Sequence, residues 1–290
     1  MNIIRLMGGL GNQMFQYALY RALKQKGTAV KIDDVTGYEN DTKRVPALVE
    51  AFGLSYERAT REETVDYLDL YTDFKSRLRR RVLGSRARIR TEPADGNFDP
   101  AIPDADNVYL NGYWQSEKYF SDPEVRLRLR QDFSLDPARV IGRQHVWETL
   151  TQIRNTESVS IHIRRGDYIE PEFAVVYGNI CTEEYYIRAV DYILEREPRA
   201  VFYLFSDDRE WTKKHFDGER FVVAGGDDVL SDKEDMLLMS QCKHNIIANS
   251  SFSWWSSWLN GNETKMVVAP EKWLNTKNIT DIYTDRMVRL

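Results

Sequence analysis

The sequence has little cysteine and no long apolar run. Only Cys181 and Cys242 occur among its 290 residues, and their spacing matches no zinc motif. Because two cysteines cannot build a disulfide framework, we expect two buried thiols in a reducing compartment. No uncharged apolar stretch approaches the roughly 18 residues of a spanning helix, and we expect no signal peptide at the N-terminus. The sequence therefore argues against a disulfide-rich secreted scaffold and an integral membrane protein.

The chain also lacks an excess of positive charge. Its formal net charge is −5, so we expect no nucleic-acid partner. The exception is Lys75–Arg90, KSRLRRRVLGSRARIR, which carries eight cations and no acid. The ordinary interpretation is a solvated helix and loop, and the alternative is a surface that attracts anionic lipid or an anionic substrate.

The first half of the chain predicts only a few regular elements. An apolar strand is followed by a helix that closes at Gly27 and by a second strand that ends at Asp33. Strands joined by a crossover helix are normally parallel. The periodicity over residues 35–150 is weak. It predicts helices near 61–82 and 122–132 and a strand within 108–114.

From residue 157 onward, predicted strands alternate with predicted helices. Apolar runs predict strands at 159–163, 200–205, 221–226, 245–249 and 265–270. The helices between them begin at capping residues such as Thr182 and Ser231. This alternation predicts an open parallel sheet covered by helices on both faces. We therefore expect an α/β fold with two domains, 1–155 and 156–290.

Polar clusters follow four of these strands at their carboxyl ends, which is the edge where open α/β sheets bind ligands. The clusters are Arg164–Tyr168, Ser206–Asp208, Gly225–Asp228 and Asn249–Ser251. Two adjacent arginines suit phosphate oxygens, and the helix after Asn249 offers free amides and a favourable dipole. The carboxylate of Asp207 suits the donor edge of guanine. Together the clusters predict a site for a purine nucleoside diphosphate.

Each of these residues also has a purely structural interpretation. Arg164 and Arg165 could pair with Asp167 or another acid, and His162 could be a hydrogen-bonded core histidine. Helix capping would account for Asp207, Asp208 and residues 249–253, and core packing for Trp254, Trp255 and Trp258. A structural role does not exclude function, because a capping serine can still contact phosphate.

The opening stretch MGGLGNQMFQYA, Met7–Ala18, combines glycines with amide side chains. Glycines there permit a tight turn and a close approach of the backbone to a ligand. A dinucleotide-dependent oxidoreductase is one alternative, since Asp33 lies at the right distance from the glycines. However, Met14 stands where the third glycine of that fingerprint belongs, which argues against this interpretation.

Four stretches resemble one enzyme family. HIRRGDY (162–168), FSDD (205–208) and NSSFSWW (249–255) resemble the motifs of α1,2- and α1,6-fucosyltransferases. GGLGNQMFQYA resembles the N-terminal motif of the α1,2-fucosyltransferases, glycosyltransferase family 11, which includes the blood-group H enzymes and bacterial O-antigen enzymes. The matches follow the family order from residue 7 to about 258, whereas residues 35–150 match weakly.

This resemblance implies a GT-B-like fold, in which two Rossmann-like domains face each other across a cleft. It also implies an inverting transfer of L-fucose from GDP-β-L-fucose to the 2-OH of a terminal β-galactoside. No metal is implied, and no clear Asp-x-Asp clamp follows a strand in the sequence. We expect no cofactor beyond the GDP-fucose donor.

The resemblance also implies roles for individual residues. Arg164 would contact the β-phosphate as the main catalytic group, with Arg165 in support. Asp167 is a candidate base or an orienting group for the arginines. His162 and Asp207 would bind guanine, and Asn249, Ser250, Ser251, Phe252 and Ser253 would hold the diphosphate and the sugar. Gly8, Gly9, Gly11, Asn12 and Gln13 would form a loop that faces the donor across the cleft, with Asn12 in a catalytic position. A plain strand–helix turn is the alternative for that loop.

The expected acceptor is a galactose-terminated oligosaccharide or glycolipid, as in O-antigen or capsule biosynthesis. We expect a cytoplasmic enzyme, with a peripheral contact to an anionic inner membrane through Lys75–Arg90 as an additional hypothesis. Two functional alternatives stay open, namely a fucosyltransferase of another linkage and a non-catalytic nucleotide-sugar-binding protein. The Arg164–Arg165 pair argues against the second, because binding alone needs less leaving-group stabilisation.

Overall fold

The chain folds as two compact units. The computed structural model describes residues 1–226 and 228–290, and the units are Met1–Asp132 and Phe133–Leu290. This division lies before the expected boundary at 155, because the helix Gln144–Asn155 packs within the second unit. Its buried Leu150 and Ile153 share a core cluster with Leu237 and Leu238.

The first unit is a parallel sheet with helices. Its elements are β1 (Asn2–Arg5), α1 (Leu10–Gln25), β2 (Val30–Asp33), α2 (Leu48–Phe52), α3 (Arg61–Leu68), α4 (Phe74–Leu83), β3 (Ile89–Thr91), β4 (Tyr109–Asn111) and α5 (Pro123–Asp132). The strand order is β2-β1-β4-β3, and every pairing is parallel. The predicted strands around α1, the strand within 108–114 and the helix near 122–132 are confirmed.

Helical structure near 61–82 is confirmed, but it is interrupted between Leu68 and Phe74. The chain forms two helices, because Asp69 adopts a left-handed backbone (φ 54°) that ends α3. Asp73 then caps the start of α4 by accepting a hydrogen bond from the Ser76 amide. The turn between the helices is stabilised by Arg79 and Arg80, which both pair with the Asp69 carboxylate.

The second unit contains the larger sheet. Its elements are α6 (Pro137–Val140), α7 (Gln144–Asn155), β5 (Glu157–Ile163), α8 (Pro171–Tyr177), α9 (Glu183–Leu194), β6 (Ala200–Ser206), α10 (Arg209–His215), β7 (Phe221–Val223), α11 (Asp232–Gln241), β8 (His244–Ile246), α12 (Ser251–Leu259), β9 (Val267–Ala269) and β10 (Met287–Arg289). The order is β10-β9-β8-β5-β6-β7, with parallel pairing throughout. The predicted caps at Thr182 and Ser231 are confirmed.

Helices cover both faces of this second sheet. Phe202 and Leu204 of β6 pack in one core cluster with α9, whereas the alternate residues Tyr203 and Phe205 pack in another with α7 and α11. Successive side chains of a strand point to opposite faces, so two clusters on one strand require two helical layers. The α/β prediction with Rossmann-like parallel sheets in both units is confirmed.

The order of the second sheet creates one switch point. From β5 the chain proceeds to β6 and β7 on one side, then crosses to β8, β9 and β10 on the other. The crevice beyond the carboxyl ends of β5 and β8 is where such sheets bind ligands. None of the helices in the described residues has the length and apolarity needed to cross a membrane.

Candidate functional site

Two of the predicted motifs lie at the switch point of the second sheet. Arg164–Tyr168 follows β5, and Asn249 with Ser250 precedes α12 after β8. The Tyr168 hydroxyl donates to the Asn249 carbonyl at 3.2 Å, which ties the two strand ends together. The cluster at Ser206–Asp208 follows β6, the other neighbour of β5. The structure therefore brings the three motifs together at one edge.

Arg164 is held by two carboxylates. Its Nη2 lies 2.7 Å from Asp167 Oδ1 and its Nη1 lies 2.7 Å from Asp207 Oδ2. Burial acts in the opposite direction, but Asp207 and Asp167 hold the pKa of Arg164 above its ordinary value. The side chain still keeps 34% of its exposure. The structure therefore contains the ion pairs that the structural interpretation predicts. They hold the charged guanidinium in place while part of it stays open to solvent.

Arg165 has a separate pair of partners. Its Nε lies 3.0 Å from Asp208 Oδ2, and its guanidinium carbon lies 4.4 Å from the centre of the Trp211 ring. Asp208 also caps α10 by accepting a hydrogen bond from the Trp211 amide. The two arginines are thus oriented by different acids and by different elements. This arrangement gives a rigid cationic loop suited to phosphate oxygens.

Asp207 stabilises the arginine loop, which is the segment Arg164–Tyr168 after β5. Its Oδ1 accepts the amides of Arg165 at 2.8 Å and Gly166 at 3.1 Å, while Oδ2 pairs with Arg164. A Cβ at position 166 would lie 2.7 Å from Asp207 Oδ2, so the close approach requires glycine there. Both oxygens are engaged within the protein, and the role of Asp207 toward guanine stays a prediction.

His162, the residue before the last of β5, has a buried nitrogen without a hydrogen-bond partner in the described chain. The residue is 8% exposed, and its Nδ1 has no hydrogen-bond partner within the described residues. Burial and the nearby charge of Arg164 lower the pKa of His162 to about 4, and Asp207 partly offsets them. The imidazole is therefore neutral at neutral pH. A buried polar atom without a partner is unusual in folded proteins and indicates a place for a ligand or water.

The five residues at the start of α12 fall into three arrangements. Asn249 and Ser253 are buried and bond inward: the Asn249 amide donates to the carbonyls of Tyr177 and Trp273 at 3.2 Å, and Ser253 Oγ donates to the Ser250 carbonyl at 3.3 Å. Ser250 caps the helix by accepting the Phe252 amide. Ser251 and Phe252 are partly exposed. The helix start therefore presents its positive end and these two partly exposed residues at the switch point.

The glycine loop belongs to the first unit. Gly8 has a left-handed backbone (φ 79°), and Gly9 is the residue before α1. The Gln13 side chain is buried, donates to the carbonyls of Gly8 and Val45 at 2.9 Å, and accepts the Ala47 amide at 2.8 Å. Gly11 lies buried in the first turn of α1. Gln13 thus stabilises the loop, and a contact of this loop with the donor stays a prediction.

A partner of Asn12 was missed from the sequence. Gln115 donates from Nε2 to Asn12 Oδ1 at 2.7 Å, and it follows Trp114, a buried residue with a left-handed backbone (φ 57°). Non-glycine residues in that conformation are strained and cluster at functional sites. The first turn of α1 and the loop after β4 therefore meet through the Asn12–Gln115 pair. The sequence carries no signal for this conformation.

Asp235 was also missed. It lies in the first turn of α11, and its carboxylate forms no hydrogen bond or ion pair within residues 1–226 and 228–290. Burial, and then the neighbouring Asp232 and Glu234, raise the pKa of Asp235 to about 7, although Arg209 acts to lower it. Arg209 begins α10 at the carboxyl end of β6. Perturbed acids of this kind often mark functional sites.

The fourth predicted cluster follows β7. Gly225 and Gly226 both have left-handed backbones (φ 77° and 60°), and Arg209 donates to the carbonyls of Gly226 and Asp228. Asp227 lies outside the described residues. Within the described chain, no group of three His, Cys, Asp or Glu side chains has the arrangement of a metal site. The metal-free reaction stays a prediction.

These parallel sheets and the arginine-lined switch point are typical of a nucleotide-sugar glycosyltransferase, and the comparison of sequences identifies the family. The family description "Glycosyl transferase family 11" matches residues 96–287, more than half of the chain. The chain therefore belongs to glycosyl transferase family 11.

Two bacterial relatives match along the whole chain. An alpha-1,2-colitosyltransferase of Escherichia coli is 33% identical over 99% of this chain and 98% of its own length. The O-antigen biosynthesis glycosyltransferase WbnK of E. coli is 30% identical over 98% of this chain and 99% of its own. The galactoside alpha-(1,2)-fucosyltransferase 1 of Ateles belzebuth is 27% identical over 52% of this chain and 48% of that protein. The predicted family resemblance is confirmed.

Solved structures show more distant likenesses. A mutant of Arabidopsis thaliana FUT1 in complex with GDP covers 92% of this chain and 69% of that one, with 13% identity and a TM-score of 0.44. The heptosyltransferase WaaC of E. coli covers 100% of this chain and 93% of that one, with 10% identity and a TM-score of 0.41. Likenesses of this size carry no argument about function.

Proposed function

We propose that this glycosyltransferase moves L-fucose from GDP-β-L-fucose to the 2-OH of a terminal β-galactoside, with inversion at the anomeric carbon. The observation that carries the proposal is the pair Arg164–Arg165, oriented by three acids beside the switch point and the start of α12. The family membership and the α1,2 specificity printed for its relatives support the linkage.

The arginines would act on the leaving group. Negative charge grows on the diphosphate as the bond to the sugar breaks, and a guanidinium fixed in advance stabilises that charge without reorganisation. Arg164 keeps an open face after pairing with Asp167 and Asp207, which leaves donors for a β-phosphate. The amides at the start of α12 would hold the same diphosphate. In this proposal the protein supplies the charge that a metal ion supplies in other transferases.

Asp167 suits a positioning role better than that of a general base. Its Oδ1 pairs with Arg164 Nη2 at 2.7 Å, so this oxygen already holds the arginine and is not directed at an acceptor hydroxyl. We therefore assign Asp167 to the orientation of Arg164. The proton of the acceptor hydroxyl would pass to solvent or to the leaving diphosphate late in a loose transition state.

Recognition of guanine is assigned to His162 and Asp235. The neutral His162 imidazole has an unused buried Nδ1, and the Asp235 carboxylate lacks a partner within the described residues. The N1–H and exocyclic amine of guanine are donors, so they would stabilise the ionised carboxylate. This assignment replaces Asp207, whose two oxygens bond to the arginine loop, as the acceptor for the base.

GDP-colitose is the second candidate donor. The relative that is 33% identical over 99% of the chain is a colitosyltransferase, and colitose differs from L-fucose by the loss of one hydroxyl group. The nucleotide, the leaving group and the linkage would be the same for both sugars. The two candidates therefore differ only in the sugar subsite.

The test is a GDP-release assay with GDP-fucose and GDP-colitose against a panel of galactosides, with NMR assignment of the product. We expect turnover with GDP-fucose and an α1,2-linked product, unchanged by EDTA. Turnover with GDP-colitose alone would favour the second candidate, and an α1,3 product would show another linkage. A shift in thermal stability with GDP but no turnover on any galactoside would favour a non-catalytic binding protein.

The class of acceptor and the compartment of the reaction follow from the same proposal. A terminal galactose on an oligosaccharide or a glycolipid is the expected acceptor, and the name of WbnK, an O-antigen biosynthesis enzyme, supports this class. We propose that the reaction takes place in the cytoplasm, where nucleotide sugars are made. Comparing a free oligosaccharide with a lipid-linked one in the same assay would distinguish the two acceptor forms.

A further inference from the structure

None of the ten residues of helix α4, Phe74–Leu83, is buried, a feature it shares with the shorter helices α6 and α8. Helices of globular proteins normally bury an apolar stripe against the core. Three side chains, Ser76, Arg79 and Arg80, are partly covered, and the remaining seven are exposed. The helix therefore has one side that touches the first unit and a much larger side that faces solvent.

The inward side of α4 is polar. Arg79 donates to the Asp69 carboxylate, and Arg80 donates from Nη1 to the Asp69 carbonyl at 2.8 Å and from Nη2 to the Tyr71 carbonyl at 2.6 Å. The Asp69 carboxylate also accepts the amide of Arg86 at 2.9 Å. These hydrogen bonds attach the helix to the turn that precedes it. Two of its cations are consequently used to attach the helix and do not face outward.

The outward side of α4 is apolar. Phe74, Leu78 and Val82 are 77%, 50% and 69% exposed. They recur every four residues, so on a helix of about 3.6 residues per turn they form one stripe. A stripe of this kind normally packs against a protein core, yet here it faces solvent over the full length of the helix.

Cations border this stripe on both sides. At the angular spacing of an α-helix, Lys75 lies on one side of the stripe and Arg77 and Arg81 lie on the other. All three are exposed, and none forms an ion pair or hydrogen bond through its side chain within the described part of the chain. No acid occurs from Phe74 to Arg90. The outward face therefore combines an apolar centre with an uncompensated positive margin.

We propose that α4 docks the protein on an anionic phospholipid bilayer. An amphipathic helix with a basic margin lies in the membrane interface, with its apolar side chains below the headgroups and its cations among the phosphates. A second copy of this chain fits the face less well, because its cations would meet identical cations. The inference does not depend on the proposed activity.

The test is co-sedimentation of the full chain with vesicles at low ionic strength. We expect binding to vesicles of mixed phosphatidylglycerol and phosphatidylcholine, little binding to phosphatidylcholine alone, and release by salt. The variant F74S/L78S/V82S keeps every charge and should lower the binding constant at least about tenfold. The variant K75Q/R77Q/R81Q keeps the apolar stripe and should also weaken binding, since each cation near the surface contributes about fivefold.

Two control variants change exposed residues outside α4. Ile187→Ser removes an apolar side chain that is 51% exposed on α9, and Arg139→Gln removes a cation that is 87% exposed. Both should bind vesicles like the unmodified protein. The proposal is overturned if the unmodified protein does not bind anionic vesicles, or if both α4 variants bind them equally well. It is also overturned if F74S/L78S/V82S binds vesicles like the unmodified protein but is a monomer where the unmodified protein is a dimer, as measured by size-exclusion chromatography.

Discussion

The Nη1 of Arg164 lies 2.7 Å from the Oδ2 of Asp207, so an ion pair joins the carboxyl ends of β5 and β6. The same carboxylate accepts two amides of the loop after β5, which fixes the backbone and the guanidinium together. A cation held this way does not have to be reoriented when a diphosphate binds. The Arg164–Asp207 ion pair, which a purely structural interpretation would also predict, therefore places the guanidinium in advance for a diphosphate.

Replacing Arg164 should slow transfer far more than it lowers stability. Arg164→Ala removes a charge-assisted contact worth about 1.5–3 kcal/mol, and we expect kcat to fall roughly tenfold to a hundredfold. Arg164→Lys should recover little, because one ammonium cannot pair with two carboxylates and still present a planar fork. Steady-state GDP release and thermal unfolding measure the two effects.

The matched control for Arg164 is Arg139, whose exposed guanidinium lies 3.6 Å from Asp136 in the same unit. Exposed pairs contribute little to stability, so Arg139→Ala should leave both rate and unfolding unchanged. Activity of Arg164→Ala at the level of this control would contradict the proposed role of the arginine.

Glycine at position 166 should be required for the arginine loop. A Cβ there would lie 2.7 Å from Asp207 Oδ2, so Gly166→Ala must displace the carboxylate that holds Arg164. We expect a loss of activity of about tenfold or more, with weaker binding of GDP in calorimetry. Gly142→Ala is the control, because no atom lies within 4 Å of a Cβ at that position. Equal activity of the two variants would mean that the loop tolerates the shift.

The sequence predicts the second unit better than the first. Its strands are short apolar runs, and the helices between them begin at strong caps such as Ser231, whose capping box appears in the structure as expected. The polar clusters are predictable because each directly follows an apolar strand. Parallel pairing then brings them to one edge, which places His162, Arg164 and Ser250 near one another without knowledge of any side-chain contact.

What the sequence does not predict depends on contacts between distant residues. Strand β3 consists of three exposed residues with no apolar period, so only its pairing with β4 defines it. The break between α3 and α4 relies on Arg79 and Arg80, which stand ten and eleven residues after Asp69. Asp235 resembles any acid in the first turn of a helix, and only packing makes it a perturbed carboxyl. The inward bonding of Asn249 is equally invisible in the sequence.

Asp235 should make stability and GDP binding depend on pH in opposite ways. Its pKa is raised from 3.8 to about 7 in the folded protein, so the carboxyl group favours folding below pH 3.8 and loses that contribution as the pH rises through 7. Asp235→Asn removes this charge. We therefore expect its melting temperature to exceed that of the unmodified protein by a few degrees at pH 8, and by less at pH 5.

The same substitution should weaken the binding of GDP. If the ionised carboxylate accepts the donors of guanine, the affinity of the unmodified protein rises between pH 6 and pH 8 by more than that of Asp235→Asn. Isothermal calorimetry of both proteins at both pH values measures this difference. Because GDP titrates in the same way with either protein, the comparison removes its own contribution. A variant that gains stability yet binds GDP normally would assign Asp235 to packing alone.

The glycine loop provides a test that separates stability from function. Gln13 is buried and forms three hydrogen bonds to the backbone, so Gln13→Ala should lower the free energy of unfolding by about 1–3 kcal/mol. Asn12 is partly exposed and accepts one hydrogen bond from Gln115, so Asn12→Ala should lower the free energy of unfolding by only about 0.5–1.5 kcal/mol. If the loop contacts a substrate, Asn12→Ala also raises KM or lowers kcat severalfold at temperatures where the variant is fully folded. Kinetics with each substrate varied in turn, beside thermal unfolding of both variants, decides the question. Wild-type kcat and KM for Asn12→Ala would mean that the stretch is a strand–helix turn, built around Gln13 for structural reasons.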